Sequence, residues 1–190
     1  MRLFLIKILL LFNIVFCFSQ AKYVLNTNLK LLECSEDVLT ILANMEINER
    51  DNPDIVFEII KSVGYNNRNA QWCAALQYFA FYCCDSIFIP LPKTLVANNM
   101  YNFAKINGIK AIYKAEQYDL LVWKKVNSWQ GHIERIYKVL DKKNVITIGG
   151  NTSKDNSNER NGGGVYYKKR NILAPISRLL LVRGLIGFNY

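Results

Sequence analysis

The chain has 190 residues, of which 51% are hydrophobic and 13% aromatic. This composition supplies enough apolar surface for a packed core and excludes a wholly disordered chain. Basic residues outnumber acidic ones 24 to 15, a net charge of +9. Such a charge favours an anionic partner, whether nucleic acid, anionic lipid or anionic wall polymer. No phosphate-binding loop, metal-spaced Cys/His cluster or nucleic-acid-binding motif is found in the sequence.

The first 19 residues have the pattern of a secretory signal. Arg2 precedes an apolar run from Leu3 to Phe18, which is interrupted by Lys7 and is too short for a membrane span of about 20 residues. We expect cleavage after about Ser19, with an uncleaved anchor as the alternative. Residues 20–190 should then form a single exported domain, periplasmic or secreted, with a net charge of +7 and no stable membrane span.

The N-terminal half of this domain has helical patterns. Ser35 is predicted as the N-cap of a first helix, in which apolar residues from Val38 to Met45 recur at helical spacing. The Asp51-Asn52-Pro53 run ends that pattern. Further helices are predicted over 55–63, 72–82 and 95–106, of which the second is apolar on nearly every side and should be buried.

The C-terminal half is rich in β-forming residues. Short strands are predicted over 119–123, 132–140, 145–148, 165–169 and 179–182, separated by polar or glycine-containing stretches. Residues 149–164 form the longest apparent loop. Helices followed by strands indicate an α+β domain with an antiparallel sheet.

Four cysteines remain once Cys17 is removed with the signal. If residues 73–83 are helical, Cys73 lies about 15 Å from Cys83 and Cys84, too far for a disulfide, which needs Cα atoms within about 7 Å. We therefore expect Cys73 to be free, with pairing to Cys34 as the alternative. Cys34 can pair with either Cys83 or Cys84.

Cys73 and His132 are the candidate catalytic residues. Cys73 opens the predicted buried helix, and a helix N-terminus favours the nucleophilic thiolate form. His132, the single histidine of the chain, opens a predicted strand, and a thiol beside an imidazole forms a nucleophile–base pair. Asn151, just after the strand at 145–148, is the candidate for holding the histidine ring in place.

Five segments stand out when the chain is taken in order, namely NAQWCAAL (69–76), DLLVW (119–123), GHI (131–133), IGGNTS (148–153) and GGGVYYKKR (162–170). Together they resemble the motifs of one enzyme family, the cysteine, histidine-dependent amidohydrolase/peptidase (CHAP) family. The resemblance extends over about residues 36–188.

The resemblance implies a papain-like fold with Cys73 on a helix and His132 on the sheet. It also implies hydrolysis of peptidoglycan amide bonds, by an amidase or endopeptidase, without a metal or organic cofactor. The chain departs from the family pattern at Gly149, where an acidic residue usually orients the histidine. We expect the Asn151 amide oxygen to take over that role. Tyr118 replaces a usual glycine and should alter only a turn.

Trp72 and Trp129 are the candidate substrate contacts. Trp72 also suits a core or cleft wall, whereas Trp129 lies in a polar loop three residues before His132. Two other functions remain open. One is a catalytically degenerate wall-binding protein, and the other is a papain-like hydrolase or toxin acting on a different amide.

Overall fold

The computed structural model describes residues 20–125, 128–154, 163–174 and 180–190. The predicted signal at 1–19 and residues 155–162 of the predicted loop lie outside the described residues. Within them the protein is a mixed α+β structure with four helices and a seven-stranded sheet. None of the described helices has the length and hydrophobicity needed to cross a bilayer.

Three of the four helices lie close to where the sequence predicts them. The helices are α1 (Leu29–Asn44), α2 (Pro53–Ser62), α3 (Cys73–Cys84) and α4 (Ala97–Asn107). The predicted start of α1 at Ser35 is wrong. Asn28 is the N-cap, since its side chain accepts a hydrogen bond from the Leu31 N–H at 2.8 Å. Ser35 is buried inside the helix and donates to the Leu32 carbonyl.

The sheet contains two strands that the sequence patterns do not predict. The strands are β1 (Ala21–Asn26), β2 (Ile109–Ala111), β3 (Leu120–Lys125), β4 (Gly131–Val139), β5 (Asn144–Thr152), β6 (Gly164–Asn171) and β7 (Leu180–Asn189). Their order is β2-β1-β7-β3-β4-β5-β6. All neighbours are antiparallel except β1 and β7, which pair in parallel. The sheet is therefore mixed, and the prediction of a purely antiparallel sheet is corrected.

The larger core forms where the helices pack on the sheet, and α3 is at its centre. Ala74, Ala75 and Leu76 in the first turn of α3 are fully buried. Helix α3 contacts α1, α2 and the strands β4 and β5. The buried first turn therefore fixes the beginning of α3 against the part of the sheet that carries His132.

A disulfide joins the two longest helices. Cys34 on α1 bonds to Cys84 at the end of α3, with 6.0 Å between the Cα atoms. Cys73 is free, as expected, and Cys83 is also free. The bond ties the far end of α3 to α1 and leaves the Cys73 end without a covalent link.

Candidate active site

Cys73 is the first residue of α3 and lies at the edge of the core. Only 4% of its surface is exposed. The preceding residue, Trp72, is the N-cap position, and no side chain caps the helix there. Because the first-turn N–H groups of a helix have no acceptor within it, they remain available beside the Cys73 thiol.

His132 approaches Cys73 from the second position of β4. It is paired in register with Trp123 on β3, and the two ring centroids are 6.0 Å apart. The imidazole interacts electrostatically with the Cys73 thiol, which raises the pKa of His132, and 12% of the histidine side chain is exposed. The structure thus brings together the two residues that the sequence analysis singled out for a nucleophile–base pair.

Glu134 is the third member of this group of side chains, and the sequence analysis missed it. It lies two residues after His132, so both side chains point to the same face of β4. His132 Nε2 is 2.9 Å from Glu134 Oε1. This leaves Nδ1 as the ring nitrogen for the Cys73 contact. The alternation of side chains along the GHIE segment was the signal that could have identified Glu134.

The Glu134 carboxylate is fully buried and held from two further strands. Thr147 on β5 donates a hydrogen bond from its hydroxyl to Oε2. Arg170 on β6 donates from Nε to Oε2 at 2.8 Å and from Nη2 to Oε1. This two-pronged Arg–carboxylate contact fixes both the position and the charge of Glu134.

The buried charges stabilise one another. Burial alone would lower the pKa of His132, but Cys73 and Glu134 outweigh it and raise that pKa to about 9. Burial alone would raise the pKa of Glu134, but Arg170 and His132 hold it well below its usual range. The site therefore favours an ionised Glu134 and a protonated His132 at neutral pH.

Gly149 supplies the space that Glu134 occupies. Gly149 on β5 is paired in register with Glu134 on β4. A Cβ atom at position 149 would lie 2.6 Å from Glu134 Cγ and 2.9 Å from its Cδ. A side chain at position 149 and the Glu134 side chain would therefore occupy the same volume.

Asn151 makes no hydrogen bond to His132, so the orienting role expected for its amide oxygen is corrected. Its side-chain Nδ2 donates to Gln71 Oε1, and its Oδ1 is buried without a hydrogen-bond partner. The residue adopts a φ of 54°, in the left-handed region where asparagine is among the residues tolerated. Asn151 therefore holds the segment before Cys73 rather than the imidazole.

The two tryptophans have different surroundings. Trp72 is fully buried, and its indole Nε1 donates to Glu49 Oε1 at 2.7 Å. A Cβ on Gly150 would lie 2.6 Å from the Trp72 ring, so the ring packs directly on β5. The expectation that Trp72 contacts substrate is corrected, because its ring has no open face. Trp129 is 64% exposed and stays a candidate for substrate contact.

Among the described residues, no group of three or more His, Cys, Asp or Glu side chains could hold a metal ion. A comparison of the chain with models of known protein families, with curated proteins and with solved structures finds no match. The inference of function therefore depends on the motifs of the sequence and on the geometry of the site.

Proposed function

We propose that this chain is an exported cysteine hydrolase that cleaves amide bonds of bacterial peptidoglycan, as an amidase or endopeptidase. The observation that carries the proposal is the series Cys73–His132–Glu134. His132 hydrogen-bonds to Glu134 and interacts electrostatically with Cys73, which stands at the beginning of a buried helix. A thiol, an imidazole and a carboxylate in this order are the parts of a nucleophile, base and orienting group. The proposal includes a papain-like arrangement of the helix and the sheet.

Each residue of the series has a defined role in this mechanism. With the thiol proton already on His132 Nδ1, the thiolate sulfur of Cys73 bonds to the carbonyl carbon of the substrate. His132 then donates that proton to the leaving amine as the C–N bond breaks, which leaves a thioester on Cys73. His132 next accepts a proton from water, whose hydroxide adds to the thioester carbonyl, and the C–S bond breaks.

The charges around His132 suit these proton transfers. Ionised Glu134 stabilises the imidazolium that exists while the thiolate attacks. Its hydrogen bond to Nε2 also keeps Nδ1 directed at the thiol. The N–H groups of the first turn of α3 are suited to stabilise the negative charge that develops on the substrate oxygen.

The choice of peptidoglycan as substrate is supported by the resemblance of five segments to CHAP motifs and by the basic composition. Peptidoglycan lies outside the cytoplasm, which agrees with the signal-like residues 1–19. Trp129 is our candidate for contact with the wall polymer, because it is exposed and lies three residues before His132.

The test is digestion of purified peptidoglycan by the protein, with released fragments identified by mass spectrometry. Fragments that appear with the wild type and vanish with Cys73→Ala support the proposal, and their new ends identify the bond that is cleaved. If folded wild-type protein with reduced Cys73 releases no fragments, peptidoglycan is not the substrate.

One observation favours a second candidate, a non-catalytic wall-binding protein. Cys73 is 4% exposed, so a substrate carbonyl has little direct access to its sulfur in this conformation. If the protein only binds the wall, it should sediment with peptidoglycan and release no fragments. Neither Cys73→Ala nor His132→Ala should then diminish the sedimentation.

A further inference from the structure

Three isoleucines are unusually exposed at one edge of the sheet. Ile106 is 81% exposed, Ile109 is 71% exposed and Ile112 is 88% exposed. They fall within seven residues, at the end of α4, at the start of β2 and just after β2. We refer to residues 105–114, which carry these side chains, as the isoleucine edge.

The backbone holds this segment at the rim of the molecule. Strand β2 is the last strand on its side of the sheet and pairs only with β1. The chain turns from α4 into β2 at Gly108, where a Cβ would lie 2.7 Å from the Ala104 carbonyl oxygen and 2.8 Å from that of Val24. This close turn leaves no room for a side chain at position 108, and Ile106 and Ile109 flank it in the sequence.

Lysines are interspersed among the isoleucines. Lys105, Lys110 and Lys114 are all exposed, and residues 105–115 contain no acidic side chain. Glu116 follows, and its Oε1 is 3.7 Å from Lys114 Nζ. The edge therefore combines apolar side chains with a local positive charge.

This combination suits an anionic lipid surface better than a protein partner. Protein interfaces are depleted of lysine, and a lysine on an edge strand hinders the addition of another strand. A bilayer interface instead accepts aliphatic side chains between lipid chains while lysines pair with lipid phosphates. We propose that the isoleucine edge docks the protein on an anionic membrane surface.

The docking is peripheral and independent of the proposed hydrolysis. The isoleucines insert into the interface between headgroups and acyl chains, and the lysines stay at the level of the phosphates. Strands β1, β7 and β3 separate β2 from β4, which carries His132. Docking therefore leaves the candidate active site away from the lipid.

The test is sedimentation of the full chain with vesicles of phosphatidylcholine alone or mixed with phosphatidylglycerol. We expect binding to the mixed vesicles only, weakened by salt. Ile109→Ser and Ile112→Ser should each weaken it by about tenfold or more, and Lys110→Glu by about tenfold at low salt. Circular dichroism checks that each variant is folded.

Ile87→Ser is the matched control. Ile87 is 80% exposed, but residues 85–92, which follow α3, contain Asp85 and no lysine, so the Ile87→Ser change should leave vesicle binding unchanged. Equal loss with Ile87→Ser, equal binding to neutral vesicles, or no binding would overturn the proposal. A dimer in sedimentation velocity that Ile109→Ser dissociates would instead show that a second copy covers this edge.

Discussion

Glu134 and Gly149 face each other on adjacent strands, and the Glu134 side chain fills the volume that a side chain at 149 would need. The CHAP motif that residues 148–153 resemble usually has an acidic residue at the position of Gly149. In this chain a carboxylate beside His132 comes from the neighbouring strand instead. The pairing shows that a carboxylate beside His132 need not come from position 149.

The first prediction concerns Glu134→Gln. The amide keeps most of the side-chain volume but loses the charge that, together with Cys73, raises the pKa of His132 to about 9. Hydrolysis should fall by about 10²- to 10⁴-fold. Wild-type activity should be lost as the pH rises through about 9, when the imidazolium loses its proton, and in Glu134→Gln this alkaline limb should move to lower pH.

The measurement is the pH–rate profile of peptidoglycan digestion for both proteins. Asn151→Ala is the control, because Asn151 hydrogen-bonds to Gln71 and not to His132. Its alkaline limb should stay where the wild type has it. A shifted limb in Asn151→Ala with an unshifted one in Glu134→Gln would assign the orienting role to Asn151.

The second prediction moves the carboxylate between strands. Gly149→Glu alone should unfold more easily and lose activity, because its Cβ would lie 2.6 Å from Glu134 Cγ. Glu134→Ala alone should lose activity. The double variant Glu134→Ala/Gly149→Glu removes the clash and supplies a carboxylate from β5, so it should recover a measurable part of the activity that Glu134→Ala loses.

This rescue is measured as the initial rate of fragment release, alongside urea unfolding of all three variants. A double variant with wild-type-like stability but no more activity than Glu134→Ala would show that the two positions are not interchangeable.

The third prediction concerns the hydrogen bond between Glu49 and Trp72. Glu49 accepts the indole N–H of fully buried Trp72, the residue before Cys73. Glu49→Leu leaves this donor unsatisfied and should lower the free energy of unfolding by about 1–3 kcal/mol and slow alkylation of Cys73. Glu49→Gln keeps an acceptor oxygen and should preserve both.

Glu46→Gln is the comparison for Glu49→Leu, because it breaks a solvent-exposed ion pair with Lys154. Such pairs contribute about 0–1 kcal/mol, so urea unfolding should barely change. If Glu46→Gln destabilises the protein as much as Glu49→Leu, charge rather than the Trp72 hydrogen bond is the cause.

The fourth prediction concerns the disulfide between α1 and α3. Cys34 and Cys84 are 50 residues apart in sequence, so the bond removes considerable entropy from the unfolded chain. Replacing both cysteines by serine should lower the free energy of unfolding by about 3–4 kcal/mol. Cys83→Ser leaves the bond in place and should have much less effect in the same urea titration.

Local sequence patterns predicted the elements that depend on local forces. The apolar run at 72–82 and the patterns at 55–63 and 95–106 match α3, α2 and α4 closely. Strand β1 was missed because its partner β7 lies at the other end of the chain. The beginning of α1 was misplaced because Ser35 has the composition of a cap, whereas Asn28 performs that role.

Part of the candidate site follows from local sequence patterns, and part depends on how neighbouring strands pair. Cys73 and His132 stand out as residue types. Alternation along β4 puts Glu134 on the same side of the strand as His132, but the room for its side chain depends on the register that brings Gly149 opposite Glu134. Tyr118 stands where the resembled motif usually has glycine, and it keeps a φ of 71°. The turn before β3 therefore retains a glycine-like backbone conformation with a tyrosine.

The central claim, that His132 activates Cys73, is tested most directly by alkylating the folded protein with iodoacetamide and mapping the modified cysteines by mass spectrometry. Cys83 is the internal reference. The residue is exposed, but partial burial of its thiol raises the pKa of that thiol. We predict that Cys73 reacts faster than Cys83 at neutral pH, despite being 4% exposed, and that His132→Ala removes this advantage. Faster reaction of Cys83, with Cys73 modified only after unfolding, would contradict the claim.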